Sequence, residues 1–211
     1  FFLAGSATPV LALTGTIEGE GQYDGSVVSS YSNSTNIDSS SELYQEKWPY
    51  DKSDDQYVYR GKLASGVGIY DGSLLTGTES GFYSQGAASY DFGAGTGWVE
   101  TYINDTESPK SYSLDLSIIG GELLLIENAN DASYTANSKY SMQVQLNGSS
   151  IWSSSAHLYG QDRENAVLDT SGEVPESEFI ANANATDWFS MLYREKFSDE
   201  EWSIVNDSFF G

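Results

Sequence analysis

The chain has 211 residues and a formal net charge of -22, from 31 acidic against 9 basic side chains. This excess of negative charge repels nucleic-acid phosphates and anionic lipid head groups, so neither is expected as a partner. The chain contains no cysteine, which excludes disulfides, thiolate catalysis and zinc–thiolate or iron–sulfur centres.

The first segment, residues 1–17, has no charged side chain and alternates between apolar odd positions and small polar even positions. Pro9 cannot donate a ladder hydrogen bond, which favours a sheet edge, two short strands or a segment lying in a groove. Two interpretations stay open: a first strand packed in its own domain, or a strand donated to a neighbouring copy. Val10-Leu11-Ala12 also fits the end of a secretory signal.

Residues 18–55 are polar and rich in turn-forming side chains. Val27-Val28 and Tyr31 predict one strand, and Trp48-Pro49-Tyr50 predicts an anchored turn. A loop of this length is uncommon in an ordered domain, so further short strands are expected here.

The strand pattern is clearer after Gln56. Strands are predicted around Tyr57–Ile69, over Gly81–Phe92 and over Trp98–Ile103, with turns at Asp71-Gly72 and at Gly77.

The longest apolar run inside a strand pattern is Ser111–Ile126. Its first half alternates, with Tyr112, Leu114, Leu116 and Ile118 on one face. Gly120-Gly121 fits a two-residue turn, and Glu122–Ile126 is apolar on both faces. The run therefore predicts a central hairpin whose first strand is half-buried and whose second strand is covered on both sides.

In the last third of the chain, Asn147-Gly148 predicts a type I′ hairpin between Tyr140–Leu146 and Ser149–Trp152. Loops are predicted over His157–Leu168 and Gly172–Glu178, with a strand at Ala166–Leu168. Trp188–Phe197 fits either a strand or a helix. Ser198–Glu201 fits a capping box and predicts a short helix through Val205.

Short strands separated by Gly, Asn and Asp turns predict an all-β fold, an antiparallel β-sandwich of jelly-roll type with one short C-terminal helix. Residues 18–211 are expected to form a single domain, with residues 1–17 as the apolar N-terminal strand.

Sites for chemistry are sparse. His157 stands alone, without a G-x-S-x-G elbow, so no catalytic residue and no enzyme activity is predicted. A pair of carboxylates for glycoside hydrolysis is a weaker alternative, because among 31 acidic side chains some pairs lie close together whether or not they act in catalysis. Exposed aromatic rings are the candidates for a sugar-binding platform: Trp48, Tyr50, Trp98, Trp152 and Trp202.

No cofactor is predicted, and calcium is the most plausible ion, since loops with clustered oxygen ligands are present. Glu127, Asn128, Asn130 and Asp131 form one such cluster, and Asp51, Asp54 and Asp55 form another; neither matches an EF-hand loop. Five asparagines fit the N-glycosylation acceptor: Asn33, Asn104, Asn147, Asn184 and Asn206.

These features together predict a secreted, non-enzymatic subunit of an extracellular filament or surface layer that assembles with copies of itself. The layout resembles that of donor-strand-assembled pili, although the sequence carries no motif of such a family. The alternative is a carbohydrate-binding module or adhesin domain, or less readily a glycan-active enzyme. The interface residues expected for strand donation are Phe1, Phe2, Leu3, Val10, Leu11, Leu13 and Ile17.

Overall fold

The computed structural model describes residues 10–38, 41–53, 56–70, 73–84, 89–102, 110–118, 121–127, 136–160, 166–181 and 191–209. These residues form fifteen β-strands and no helix, which confirms the predicted all-β class with antiparallel, sandwich-like sheets. The strands are β1 (Val10–Tyr23), β2 (Ser26–Asn36), β3 (Glu42–Lys47), β4 (Tyr50–Ser53), β5 (Gln56–Tyr70), β6 (Ser73–Ser84), β7 (Tyr90–Tyr102), β8 (Lys110–Ile118), β9 (Glu122–Glu127), β10 (Ala136–Leu146), β11 (Ser149–Gly160), β12 (Ala166–Gly172), β13 (Ser177–Ala181), β14 (Met191–Phe197) and β15 (Glu200–Phe209).

The chain divides into two compact units. The first holds Phe1–Leu116 and Val205–Gly211, and the second holds Ser117–Ile204.

The first unit packs two sheets face to face. One has the order β2-β1-β7; in the other, β5 pairs with β3 and β4 along one side and with β6 along the other. Ile17 of β1 and Leu63 and Val67 of β5 are almost fully buried between the sheets. The sheets approach so closely at Gly15 that a Cβ there would lie 2.7 Å from a methyl carbon of Val67. Leu13 and Ile17 thus confirm the predicted apolar face of odd positions.

An aromatic cluster extends this core along β1, β5, β6 and β7. The rings of Tyr23 and Tyr59 are stacked with centroids 4.4 Å apart, and Phe82 lies against both. Phe92 reaches across to Gly21 and Gly61, where a side chain would collide with its ring. Glycine is needed at these two positions because a neighbouring ring fills the space of a Cβ.

Two tight turns have positive φ at both central residues, as type I′ hairpins require. Asn147 and Gly148 have φ of 49° and 79° and join β10 to β11, which confirms the predicted hairpin. Asp24 and Gly25 have φ of 46° and 74° and join β1 to β2.

The second unit contains the sheets β10-β11-β12 and β13-β14-β9. Its buried cluster consists of Leu123, Leu125, Ala156, Leu158 and Phe197. The ring of Tyr140 meets that of Phe197 edge-on, with centroids 5.3 Å apart.

The predicted central hairpin is wrong, although both of its strands exist. β8 pairs with β15, and β9 pairs with β14, so the two strands lie in different sheets. The predicted faces are nevertheless confirmed: Leu114, Leu116 and Ile118 are buried, and Asp115 is exposed. Alternation reports which side of a strand is buried, and it does not report which strand lies alongside.

The predicted C-terminal helix is also wrong. Residues 200–209 form β15, and Met191–Phe197 forms β14, which resolves the ambiguity of that stretch in favour of a strand. The capping-box pattern is a local signal, whereas Trp202, Ile204 and Val205 are side chains that favour pleated sheet. Pairing with β8 overrides the local preference.

Smaller differences occur at other boundaries. Gly77 lies inside β6 and not in a turn, and the predicted strand Gly81–Phe92 is divided between the end of β6 and the start of β7. His157 belongs to β11 and not to a loop, whereas the strand predicted at Ala166–Leu168 is present as β12. Among the described residues, no helix is long and apolar enough to cross a membrane.

Candidate functional site

Strand β2 is an unusual sheet edge. Its sequence, SVVSSYSNSTN, contains no charged residue and no proline, and it lies at one edge of the β2-β1-β7 sheet. Its 11 residues make it about twice as long as a typical strand. Edge strands usually carry charges, prolines or bulges that prevent pairing with another chain. β2 carries neither charge nor proline within its own sequence, and its one register shift against β1 lies near its start, where Val27–Ser29 face Gly21 and Gln22.

A lysine from the neighbouring sheet covers part of this edge. The Nζ atom of Lys47, the last residue of β3, donates a hydrogen bond of 2.8 Å to the carbonyl oxygen of Ser30. Beyond Ser30, the exposed residues Ser32–Asn36 extend toward the end of β2 that pairs with Thr14. Lys47 therefore occupies the uncharged edge at Ser30, and residues Ser32–Asn36 of β2 lie beyond this contact.

The structure places part of the predicted N-terminal interface inside the first unit. Leu13 and Ile17 are buried in β1, which lies between β2 and β7 as the central strand of its sheet. Val10 and Leu11 also belong to β1, beside β7, but their side chains lie outside the described set. Phe1, Phe2 and Leu3 lie outside the described residues altogether.

The outer face of the second sheet of this unit carries a row of exposed aromatic side chains, here called the aromatic face. Tyr44, Trp48, Tyr50 and Tyr70 are 56%, 59%, 64% and 67% exposed. Tyr44 lies opposite Gly66, and Tyr50 lies opposite Arg60, so these rings stand on the side of β5 that faces away from the core. At about 3.3 Å per residue, the row from Tyr50 to Tyr70 spans roughly 33 Å along β5.

A lysine and two carboxylates order the centre of the aromatic face. Lys62 forms ion pairs with Glu79 and with Glu46, the latter at 3.7 Å. Its Nζ atom also lies 4.8 Å from the ring centroid of Trp48, within range of a cation–π contact. The hydrogen bond to Glu79 raises the pKa of Lys62, so the ammonium stays charged. Partial desolvation, and then the charge of Glu46, raise the pKa of Tyr44.

Next to these rings, glycines leave a shallow cleft of about 230 Å³. Gly66, Gly68 and Gly77 form its floor together with Leu75, and Glu42 and Tyr70 stand at its sides. A Cβ on Gly77 would meet no atom within 4 Å, so the cleft is open because this residue has no side chain.

The sequence search for an aromatic platform found two of these four rings. Trp48 and Tyr50 lie on the aromatic face, but Trp152 is buried and packs edge-on against Trp202, with centroids 5.4 Å apart. Trp98 is half-buried on β7, in the other sheet of the first unit. Tyr44 and Tyr70 were missed because exposure is decided by strand pairing, which the sequence does not display.

The predicted calcium cluster lies largely outside the described residues. Glu127 ends β9, whereas Asn128, Asn130 and Asp131 are not described. Within the described part of the chain, no group of three His, Cys, Asp or Glu side chains is placed to hold a metal ion.

Two glycosylation candidates are exposed: Asn33 on β2 and Asn147 in the β10–β11 turn. Asn206 belongs to β15, and its side chain is not described; Asn104 and Asn184 lie outside the described residues. His157 packs against Tyr159 with ring centroids 4.9 Å apart, and its Nε2 atom is buried without a hydrogen-bond partner.

Comparisons with family models, with curated proteins and with solved structures find no match to this chain.

Proposed function

We propose that this protein is a secreted, non-enzymatic structural subunit that assembles with copies of itself into an extracellular filament or surface layer by strand addition. The observation that carries the proposal is the uncharged, proline-free edge strand β2 on a chain of net charge -22. Copies of so acidic a protein repel one another, so a contact between them is most favourable where charge is absent. Backbone groups at an exposed strand edge supply the hydrogen bonds for such a contact.

The donated segment in this proposal is residues 1–9, FFLAGSATP, which also carry no charged side chain. Nine extended residues span about 30 Å, which is more than enough to cover the roughly 17 Å of Ser32–Asn36 beyond the Lys47 contact. Phe1, Phe2 and Leu3 would supply apolar anchors, and Val10 and Leu11 would form the junction with β1. Leu13 and Ile17 then act within each subunit, because they hold β1, and β2 beside it, in the core.

Addition of this segment to the β2 edge of the next subunit joins two different surfaces. A head-to-tail contact of this kind leaves both ends of a growing chain free, so it produces a fibre. Direct pairing of two β2 edges would instead use the same surface twice and close as a dimer.

Negative-stain electron microscopy and sedimentation velocity test the proposal on the full chain, on a variant lacking residues 1–9, and on two charge variants. Ser32→Lys places a charge on the exposed half of the edge, and Thr16→Lys makes the same change on the exposed face of the central strand of that sheet. We expect filaments from the full chain and from Thr16→Lys, and monomers from the deletion and from Ser32→Lys. Circular dichroism checks that each variant keeps its β-type spectrum.

Three results would refute the proposal. The full chain could remain monomeric at high concentration, the deletion could leave filaments intact, or association could stop at a closed dimer.

A further inference from the structure

We infer that the aromatic face binds an uncharged polysaccharide chain that lies along β5. This inference is independent of filament assembly, because the aromatic face belongs to the other sheet of the first unit and shares no residue with β2.

The four aromatic rings are far more exposed than rings of the core, although Tyr44 also packs over Gly66. A Trp or Tyr in a strand usually buries its ring, as Trp152 does at 7% exposure. Tyr44, Trp48, Tyr50 and Tyr70 instead leave more than half of their surface in water. Exposed apolar rings gathered on one face of a sheet are typical of a binding surface, whereas single scattered ones need no explanation.

The backbone beside these rings forms a flat lane. Gly77 and Gly81 leave open space on the outer face of β6, whereas the Tyr44 ring lies over Gly66 and the Glu42 side chain lies against Gly68 on β5. The cleft of about 230 Å³ lies between these side chains and Gly77. A flat ligand can thus lie against the sheet with its faces against the rings.

The charges on this face select an uncharged ligand. Three carboxylates, Glu42, Glu46 and Glu79, lie on it against two cations, Lys62 and Arg60, and the ammonium of Lys62 is paired with two of these carboxylates. Phosphates, sulfates and uronic acids would be repelled, and so would a second copy of the face. Carboxylate oxygens accept hydrogen bonds from hydroxyl groups, which a neutral sugar supplies around its edge.

The ring of Trp48 is already oriented for stacking. Lys62 lies over one of its faces at 4.8 Å, and Glu46 and Glu79 hold Lys62 in turn. A ring fixed before binding loses less conformational entropy when the ligand arrives. The apolar C–H face of a pyranose carries partial positive charge, which complements the negative face of the exposed indole.

Affinity electrophoresis tests this inference with gels that contain soluble starch, xyloglucan, galactomannan, laminarin or the acidic polymer polygalacturonate. The protein is the variant lacking residues 1–9 if the full chain forms filaments, and the full chain otherwise. We expect at least one neutral polymer to retard it and polygalacturonate to leave its mobility unchanged. Trp48→Ala and Tyr50→Ala should each weaken the retardation about threefold to tenfold, which is the contribution of one aromatic stacking contact.

The matched control is Val99→Ala, which removes an apolar side chain that is 63% exposed on the other sheet and should leave retardation unchanged. Trp48→Phe keeps a ring and should lose less than Trp48→Ala, so it decides the test if an alanine variant does not fold. The inference fails if no neutral polymer in the panel retards the protein, if polygalacturonate binds more strongly, or if the aromatic substitutions behave like Val99→Ala.

Discussion

A buried hydroxyl on β5 links three strands of the first unit. Ser65 is 1% exposed, and its Oγ atom donates a hydrogen bond of 2.9 Å to the carbonyl oxygen of Glu18 on β1. The Ser65 hydroxyl has only one proton, which it donates to Glu18, so the tyrosine hydroxyl is the donor in the 2.9 Å hydrogen bond between Tyr31 and Ser65. The Tyr31 ring lies over Gly19, where a Cβ would be only 2.6 Å from it. The two sheets are thus joined by a polar contact inside an apolar interface.

Removing the Ser65 hydroxyl and removing the Tyr31 hydroxyl should lower the free energy of unfolding by different amounts. Ser65→Ala leaves the Tyr31 hydroxyl and the Glu18 carbonyl without this partner, and it should cost about 2 kcal/mol of unfolding free energy. Tyr31→Phe leaves Ser65 bonded to Glu18 and should cost about 1 kcal/mol. In the double variant the Tyr31 hydroxyl is no longer left behind, so the total should stay near 2 kcal/mol, with a coupling of about 1 kcal/mol.

Urea unfolding followed by far-ultraviolet circular dichroism, at a concentration where the protein is monomeric, measures these differences. Ser34→Ala on the exposed surface of β2 is the control and should change stability by less than about 0.5 kcal/mol. The reasoning is refuted if Ser65→Ala is as mild as this control. It is also refuted if the two single costs simply add.

Three further predictions test the core, the alkaline limit and the role of charge. Gly61→Ala should cost about 1–3 kcal/mol because the new Cβ overlaps the Phe92 ring, whereas Gly77→Ala meets open space and should be neutral or stabilising in the same urea assay. Burial raises the pKa of Tyr140 above its ordinary value of about 10, with a smaller opposite effect from Ser154. The stability that this shift provides is complete below about pH 10 and lost as the pH rises through the higher native pKa; Tyr140→Phe should therefore flatten the alkaline fall of the urea midpoint, and an unchanged slope would contradict this. Added NaCl should increase self-association in sedimentation, since the Debye length falls to about 8 Å at 0.15 M; association that weakens with salt would argue against contact through an uncharged edge.

Sequence alternation was a dependable guide to the buried face of single strands. The odd positions of β1 and the even positions of β8 are buried as their patterns indicate, with Ile17, Leu114 and Leu116 each at 1% exposure. Asn147-Gly148 identified its hairpin because that dipeptide tolerates positive φ at both positions. The same reasoning applies to Asp24-Gly25, which the polar composition of its surroundings obscured.

The partners of those strands could not be read in the same way. Gly120-Gly121 is compatible with a tight turn, yet β8 and β9 pair with strands that lie more than 60 residues away in the sequence. Such pairings depend on which distant strands bury the most apolar surface together, and this information is not local. The capping-box pattern at Ser198 failed for the same reason, because a local helix signal competed with a distant strand.

The sequence allowed the residue types of the candidate binding surface to be predicted, but not which side chains lie together on one face. Trp48 and Tyr50 were recognised as possible stacking residues, since the sequence shows residue type. Tyr44 becomes part of the same row because β3 and β4 both pair with the same side of β5. Tyr70 joins it because ten residues of alternation place it on the same face as Arg60.

The distribution of charge explains how one acidic unit can carry two different contact surfaces. The first 37 residues contain three acidic side chains, Glu18, Glu20 and Asp24, and no basic one, so nearly all of the net charge of -22 arises later in the chain. β2 falls within this nearly uncharged part, whereas the carboxylates of the aromatic face belong to β3 and β6. A copy of the chain that pairs with the edge of β2 meets a strand without charge, and Glu18 and Glu20 lie one strand further in, on β1. A copy approaching the aromatic face meets Glu42, Glu46 and Glu79 on the face itself. The charge that repels other copies from the aromatic face leaves it open to a neutral ligand, even where β2 is occupied.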